Sequence, residues 1–212
     1  YDKEDPVLLQ QRLDLDRYVE WTADLEVTKT DVTLDNIRRI LVRDGLWIGN
    51  LLPFENPLSD EQEATLLTLG RYAQSFGFGS TVGNNLGIDY FVGPEGEIII
   101  TEINPRWTAG LFPTEALRRV DRKGQDAVAH FELIAVDQYA QFLDFIRENL
   151  PSHGSEAWSA MHLGFSPFHM AVDDTPCVYC WLIILGDFTA YLDAASALLG
   201  PPNMRNGNLI VL

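Results

Sequence analysis

Asp89, Glu102, Asn104 and Arg106 are the residues whose types and spacing point to chemistry. They fall in Gly87-Ile-Asp-Tyr-Phe-Val-Gly-Pro-Glu-Gly-Glu-Ile-Ile-Ile-Thr-Glu-Ile-Asn-Pro-Arg106, where two apolar runs flank the turn signal Gly93-Pro94-Glu95-Gly96. The stretch reads as a β-hairpin. Side chains alternate along a strand, so Glu102 and Asn104 share a face. A hairpin closed symmetrically about the turn sets Asp89 opposite Ile100, diagonal to Glu102 and on its face. Three oxygen ligands then converge. Mg²⁺ bound to nucleotide phosphates takes such a set, with water and phosphate completing the octahedron. Arg106 follows the amide and suits a phosphate or a developing anion. An acid and an amide two apart on a strand also form ordinary solvated faces. The joint pattern of acid, acid, amide and Pro-Arg across one hairpin is what singles this one out.

At these residues the chain resembles the ATP-grasp superfamily, specifically the C-terminal lobe of its nucleotide-binding module. Ile100-Thr-Glu-Ile-Asn-Pro-Arg106, followed by Trp107-Thr108-Ala109-Gly110, is similar to the family's Glu-x-Asn-Pro-Arg strand and the small-residue loop after it. The resemblance implies that Asp89, Glu102 and Asn104 hold the Mg²⁺ ions bridging the ATP phosphates. It implies that Arg106 sits near the transferred phosphate or an acyl-phosphate. Upstream, Asp5-Pro-Val-Leu-Leu-Gln-Gln-Arg-Leu-Asp14 is similar to the family's adenine-binding strand and hinge. Gln10 stands where the family commonly has Glu, backbone groups near Leu13 would supply a second adenine contact, and Asp14 or Asp16 would hold the ribose. The likeness runs from Pro6 to Gly110. One departure is Gly87, where amino-acid ligases of the family often carry Arg; Arg106 or an Arg from elsewhere is left to anchor an acyl-phosphate.

The resemblance implies an ATP- and Mg²⁺-dependent ligase that joins a carboxylate to an amine through an acyl-phosphate. The alternative is a catalytically inactive domain that binds nucleotide or a partner. A complete module has a further lobe before this point, carrying a phosphate-covering loop and lysines. That lobe, or a second copy of the chain, is the expected macromolecular partner; the small-molecule partners are a carboxylate and an amine. The expected fold class is α+β: an antiparallel sheet with packed helices over 1–112, then a smaller α/β region over 113–212.

Composition sets outer bounds. Hydrophobic residues make up 46% of the 212-residue chain, enough for a packed core. Acids outnumber bases 31 to 15, for a net charge of −16. Nucleic acid, which needs a basic surface, is therefore an unfavoured partner. No apolar run reaches the ~18–20 residues of a membrane span. The N-terminal Tyr-Asp-Lys-Glu-Asp-Pro is not a signal peptide, and two cysteines fit a reducing cytoplasm. Those two form Cys177-Val-Tyr-Cys180. In a strand, positions three apart face opposite sides, which argues for core packing over chelation.

Other elements follow from periodicity and punctuation. Strands are expected over 7–13 and 17–29, and a hairpin from Ile37–Val42 and Leu46–Leu51. Ser59 with Gln62 marks a capping box that opens a helix to about Phe76. Helices are expected over 114–120, 135–149 and 189–199, and strands over 166–170, 176–185 and 208–212. Arg38 and Arg39 lie on a sheet strand, where either could meet phosphate or a substrate carboxylate or else be a surface charge. Asn84 and Asn85 read first as turn residues.

Overall fold

The computed structural model describes residues 13–43, 46–152, 157–169 and 176–200. Among these residues eight strands form one antiparallel sheet: β1 (Val19–Val27), β2 (Val32–Arg43), β3 (Leu46–Leu52), β4 (Asn84–Val92), β5 (Ile98–Asn104), β6 (Ala127–Ala135), β7 (Trp158–His169) and β8 (Pro176–Gly186). Their order across the sheet is β5-β4-β1-β2-β3-β6-β8-β7. Four helices pack on it: α1 (Asp60–Ser75), α2 (Leu111–Leu117), α3 (Tyr139–Glu148) and α4 (Phe188–Leu199). This is the α+β architecture expected. The expected strands over 7–13 and 208–212 lie outside the described residues.

The first half of the sheet has one dry face and one polar face, written in β1 as Val-Glu-Trp-Thr-Ala-Asp-Leu-Glu-Val. Ala23, Leu25 and Val27 pack with Leu86, Ile88 and Tyr90 of β4 and with Val32 and Ile37 of β2, under Leu66 of α1. Burying such a Leu is worth about 1.5–3 kcal/mol, so this face anchors the strands. The predicted capping box is present. Ser59 Oγ accepts from the Gln62 amide at 3.2 Å, and Gln62 Oε1 accepts from the Ser59 amide at 2.9 Å. The same Gln62 donates through Nε2 to Gly96 O at 2.8 Å. The cap of α1 thus also pins the β4–β5 turn, whose Gly96 has φ +84°.

The second half adds β6, β8 and β7. β6 pairs with β3, from Gly49↔His130 to Leu52↔Ala127, so the ladder runs unbroken across residue 112. Separate cores lie on this one sheet. One comprises Phe142 and Ile146 of α3 and Tyr191 and Leu192 of α4 against Cys180, Leu182 and Ile184 of β8. Another gathers Leu117 of α2 against Leu52, Ala127, Ala129, Ile183 and Leu185.

Some boundaries differ from expectation for identifiable reasons. β6 gave no strand signal because both its faces are covered. Its polar residues, His130 and Glu132, are buried on one side and bonded to each other at 3.1 Å. Tyr191 of α4 adds a bond to Glu132 Oε1, also at 3.1 Å. α2 starts at Leu111, not Thr114, because Thr114 Oγ1 bonds back to Gly110 O at 2.9 Å instead of capping. α3 starts at Tyr139 because Val136–Gln138 forms a 3₁₀ turn first. β7 begins at Trp158, well before Ser166.

Candidate active site

The polar face of the first half is a grid of side chains set by strand register. One row runs Arg38, Thr22, Asp89, Glu102 across β2, β1, β4 and β5; the next runs Asn36, Asp24, Gly87, Asn104. Adjacent strands lie about 4.8 Å apart, so neighbours in a row are within reach of one another.

The hairpin closes in a register different from the symmetric one expected. Asp89 lies directly opposite Glu102, not Ile100, and a bulge falls between Asp89 and Tyr90 on the pairing with β5. Tyr90 pairs with Ile100 and Asp89 with Glu102, so Thr101 is the extra residue. Its hydroxyl donates to Asp89 O at 3.0 Å. If the ladder continued in step, Asp89 would meet Thr101, and Glu102 would meet Ile88 on the dry face. The bulge keeps Glu102 on the polar face; bulges commonly re-aim side chains in this way. Asn104, buried, donates from Nδ2 to Asp89 Oδ2 at 3.0 Å. The structure thus brings Asp89, Glu102 and Asn104 together.

Electrostatics mark Asp89 as the centre. Burial pushes its carboxyl above the ordinary 3.8; a hydrogen bond from Thr22 opposes this, Glu102 adds to it through charge and a hydrogen bond, and Arg38 pulls the other way. Burial also raises Glu20, and the charge of Asp89 adds to that. Acids thus crowd Asp89 from β1 and β5. No group of three or more His, Cys, Asp or Glu side chains is arranged to hold a metal among the described residues. The triad offers two carboxylates and one amide oxygen. Such a partial, hard-oxygen set fits a cation whose remaining positions go to phosphate and water.

Arg106 is exposed; among the described residues its guanidinium makes one long hydrogen bond, 3.4 Å to Trp107 O. Leu13, Asp14 and Asp16 lie before β1. Asp14 and Asp16 are exposed, and Asp14 Oδ1 accepts from the Asp16 amide at 3.3 Å, in a local turn. No hydrogen bond among the described residues joins them to the triad. Gln10 lies outside the described residues.

Sequence reasoning missed Asp24, although the signal was present in the polar alternates Glu20, Thr22, Asp24 and Glu26 of β1. Asp24 is fully buried and ion-paired with Arg38 at 2.5 Å. It also accepts from Asn36 Nδ2 at 3.0 Å and from Thr108 Oγ1 at 2.8 Å. Arg38, 1% exposed, is therefore closed off from a substrate, and Arg39 is exposed. Asn84 and Asn85 begin β4 and are not turn residues; Asn85 Oδ1 accepts from the Thr108 amide at 3.2 Å. Beside this loop a cavity of about 230 Å³ opens, walled by Glu26, Asn85, Trp107, Leu111 and Arg118 among others.

No family model and no curated protein sequence matches the chain. Solved structures do. The phosphoribosylaminoimidazole carboxylase ATPase subunit from Aquifex aeolicus matches with a TM-score of 0.53 at 12% identity, over 90% of this chain and 58% of its own. An N5-carboxyaminoimidazole ribonucleotide synthetase, solved with ADP, matches with a TM-score of 0.51 at 12% identity, over 85% of this chain and 48% of its own. The chain thus spans about half the length of the solved structures it matches. The eight-stranded antiparallel sheet with its packed helices is thus a fold that this chain shares with parts of these two solved structures.

Proposed function

We propose that the protein acts as an ATP- and Mg²⁺-dependent ligase joining a carboxylate to an amine through an acyl-phosphate, together with chain beyond the portion matched here. The observation that carries this reading is the bulge-enforced meeting of Asp89, Glu102 and Asn104 on one face, two residues before Arg106. Mg²⁺ held by those three would neutralise the β- and γ-phosphate charge of ATP.

The chain's own residues account for the rest. Asp89 would serve as a carboxylate, and Thr22 and Asn104, both bonded to it, favour the ionised form. The substrate carboxylate attacks the γ-phosphorus and ADP leaves; the amine then attacks the acyl carbon and phosphate leaves. Arg106, which has no carboxylate partner among the described residues, is available to stabilise the charge transferred. The cavity beside Trp107 and Asn85 is the adjacent recess for a substrate. Gln10, Leu13 and Asp14 or Asp16 would hold the nucleoside. The two core thiols suit a reducing compartment such as the cytoplasm.

Glu102→Ala in the full-length protein is expected to abolish ADP release; activity surviving within about tenfold would overturn the metal assignment. A second reading, a domain that binds nucleotide without turnover, is favoured by one observation. Arg38, the cation whose charge acts on Asp89, is sealed from solvent. Calorimetry with Mg-ATP followed by phosphate release with a panel of amino acids separates the two.

A further inference from the structure

We infer that Asp24, Arg38 and Thr108 form a latch beneath the Arg106 loop, and that they are positioning residues for Arg106. The inference rests on the reading of Arg106 given above for its catalytic consequence, but not for its structural one.

The loop from Pro105 to Gly110 follows β5 without helix or strand; its backbone makes local turn bonds, from the Arg106 amide to Asn104 O at 2.7 Å and from the Leu111 amide to Thr108 O at 3.2 Å. What ties it to the neighbouring strands is Thr108. Its hydroxyl donates to Asp24, 2.8 Å from Oδ1 and 3.0 Å from Oδ2, and accepts from Arg38 at 3.3 Å. Its amide donates to Asn85 Oδ1. The loop is thereby tied to β1, β2 and β4 at one residue.

The glycines nearby are shaped to this seat. A Cβ on Gly87 would overlap the Thr108 methyl group, and a Cβ on Gly110 would overlap the Arg38 guanidinium. This accounts for Gly87 where an Arg was the pattern elsewhere. The position lies opposite Asp24 and under Thr108, with no room for a side chain. Because Arg38 is sealed and paired with Asp24, it cannot itself touch a substrate, and its effect passes through the loop. Asn36 completes the seat, accepting from Arg38 at 2.8 Å while donating to Asp24. Asp24 sits one row from Asp89, so latch and triad share one rigid patch of sheet.

The ion pair also explains why the latch is strong. A hydroxyl bonded to a buried carboxylate is a charge-assisted contact, roughly twice a neutral one. Replacing Thr108 by Val keeps the shape and the methyl over Gly87 but removes the hydroxyl. Amide exchange across residues 106–111 of the full-length protein should then quicken by about tenfold or more, as expected for loss of a hydrogen bond to a charged group. Thr108→Ser should restore slow exchange. In the same protein, Mn²⁺-ATP affinity should stay within about twofold while kcat for ADP release falls at least tenfold, the split expected when only transition-state contacts are lost. Unchanged exchange in Thr108→Val would overturn the latch. So would a fall of metal affinity and turnover together that Ser does not rescue, since that is a merely structural role. If exchange quickens but Arg106→Ala leaves turnover intact, the latch stands and the catalytic reading of Arg106 fails.

Discussion

Asp89 stands directly across from Glu102, and the unpaired Thr101 between Ile100 and Glu102 is what sets it there. Two carboxylates face each other with burial and mutual charge raising the Asp89 carboxyl. Like charges directly opposite in a sheet destabilise it by roughly 0.2–1 kcal/mol. Asp89→Asn removes the repulsion and keeps an oxygen for the Asn104 amide. It should raise the thermal midpoint of the metal-free protein and remove the further rise that Mg²⁺ gives the wild type. Unfolding scans with EDTA and with Mg²⁺ check both; a lower midpoint in EDTA would contradict the crowding.

Asp89 and its neighbour Glu20 predict a pH dependence. Asp89 and Glu20 both hold their protons more tightly in the folded chain than their ordinary values of 3.8 and 4.5. In the window just above those values the folded state binds more protons than the unfolded one. Their contribution to stability therefore declines as pH rises through the window and recovers as pH falls. A bound cation favours the ionised form and reverses the trend. Mg²⁺ stabilisation should accordingly be full near neutrality and shrink as pH drops through the raised Asp89 value, with protons released on binding. Calorimetry in buffers of different ionisation enthalpy measures that release, and Asp89→Asn should diminish it.

How much of this was legible in sequence can be traced through particular residues. The hairpin, its turn and the α1 cap were readable because Gly-Pro-Glu-Gly and Ser-x-x-Gln act locally. The facing of Asp89 and Glu102 was reached through a register that the structure does not have. A bulge is decided by pairing across strands and by the Thr101 hydroxyl on Asp89 O, not by local preference. Asp24 and Arg38 lie fourteen residues apart in sequence, and each alone is an ordinary strand residue. Only the register Thr22↔Arg38 and Asp24↔Asn36 brings them together. β6 escaped notice because its inward-facing His130 and Glu132 erase the apolar pattern while satisfying each other.

The buried pair and the exposed arginine should behave oppositely. Asp24→Ala leaves a fully buried guanidinium without its carboxylate, a loss of about 3–5 kcal/mol. Arg106→Ala touches nothing buried and should stay within about 0.5 kcal/mol of wild type. Urea unfolding of the two variants measures the contrast. Similar stabilities for both would mean that Asp24 and Arg38 are not paired in solution.

The cysteines provide a last test, of strand geometry in the second half of the sheet. Cys177 sits with Leu133 and Tyr179, whereas Cys180 lies in the core under α3 and α4, so the two thiols point to opposite faces of β8. Neither is in a disulfide. Burial pushes the Cys180 thiol up to about 12 and raises that of Cys177 as well. The thiolate is the reactive and metal-binding form, so both should be inert near neutrality. An aromatic disulfide reagent is expected to titrate two thiols only after denaturation and almost none in the native protein. A zinc chelator should leave the thermal midpoint unchanged. Rapid reaction of both thiols in the native state, or a fall in midpoint with chelator, would place them on one face and refute the register of β8 against β6.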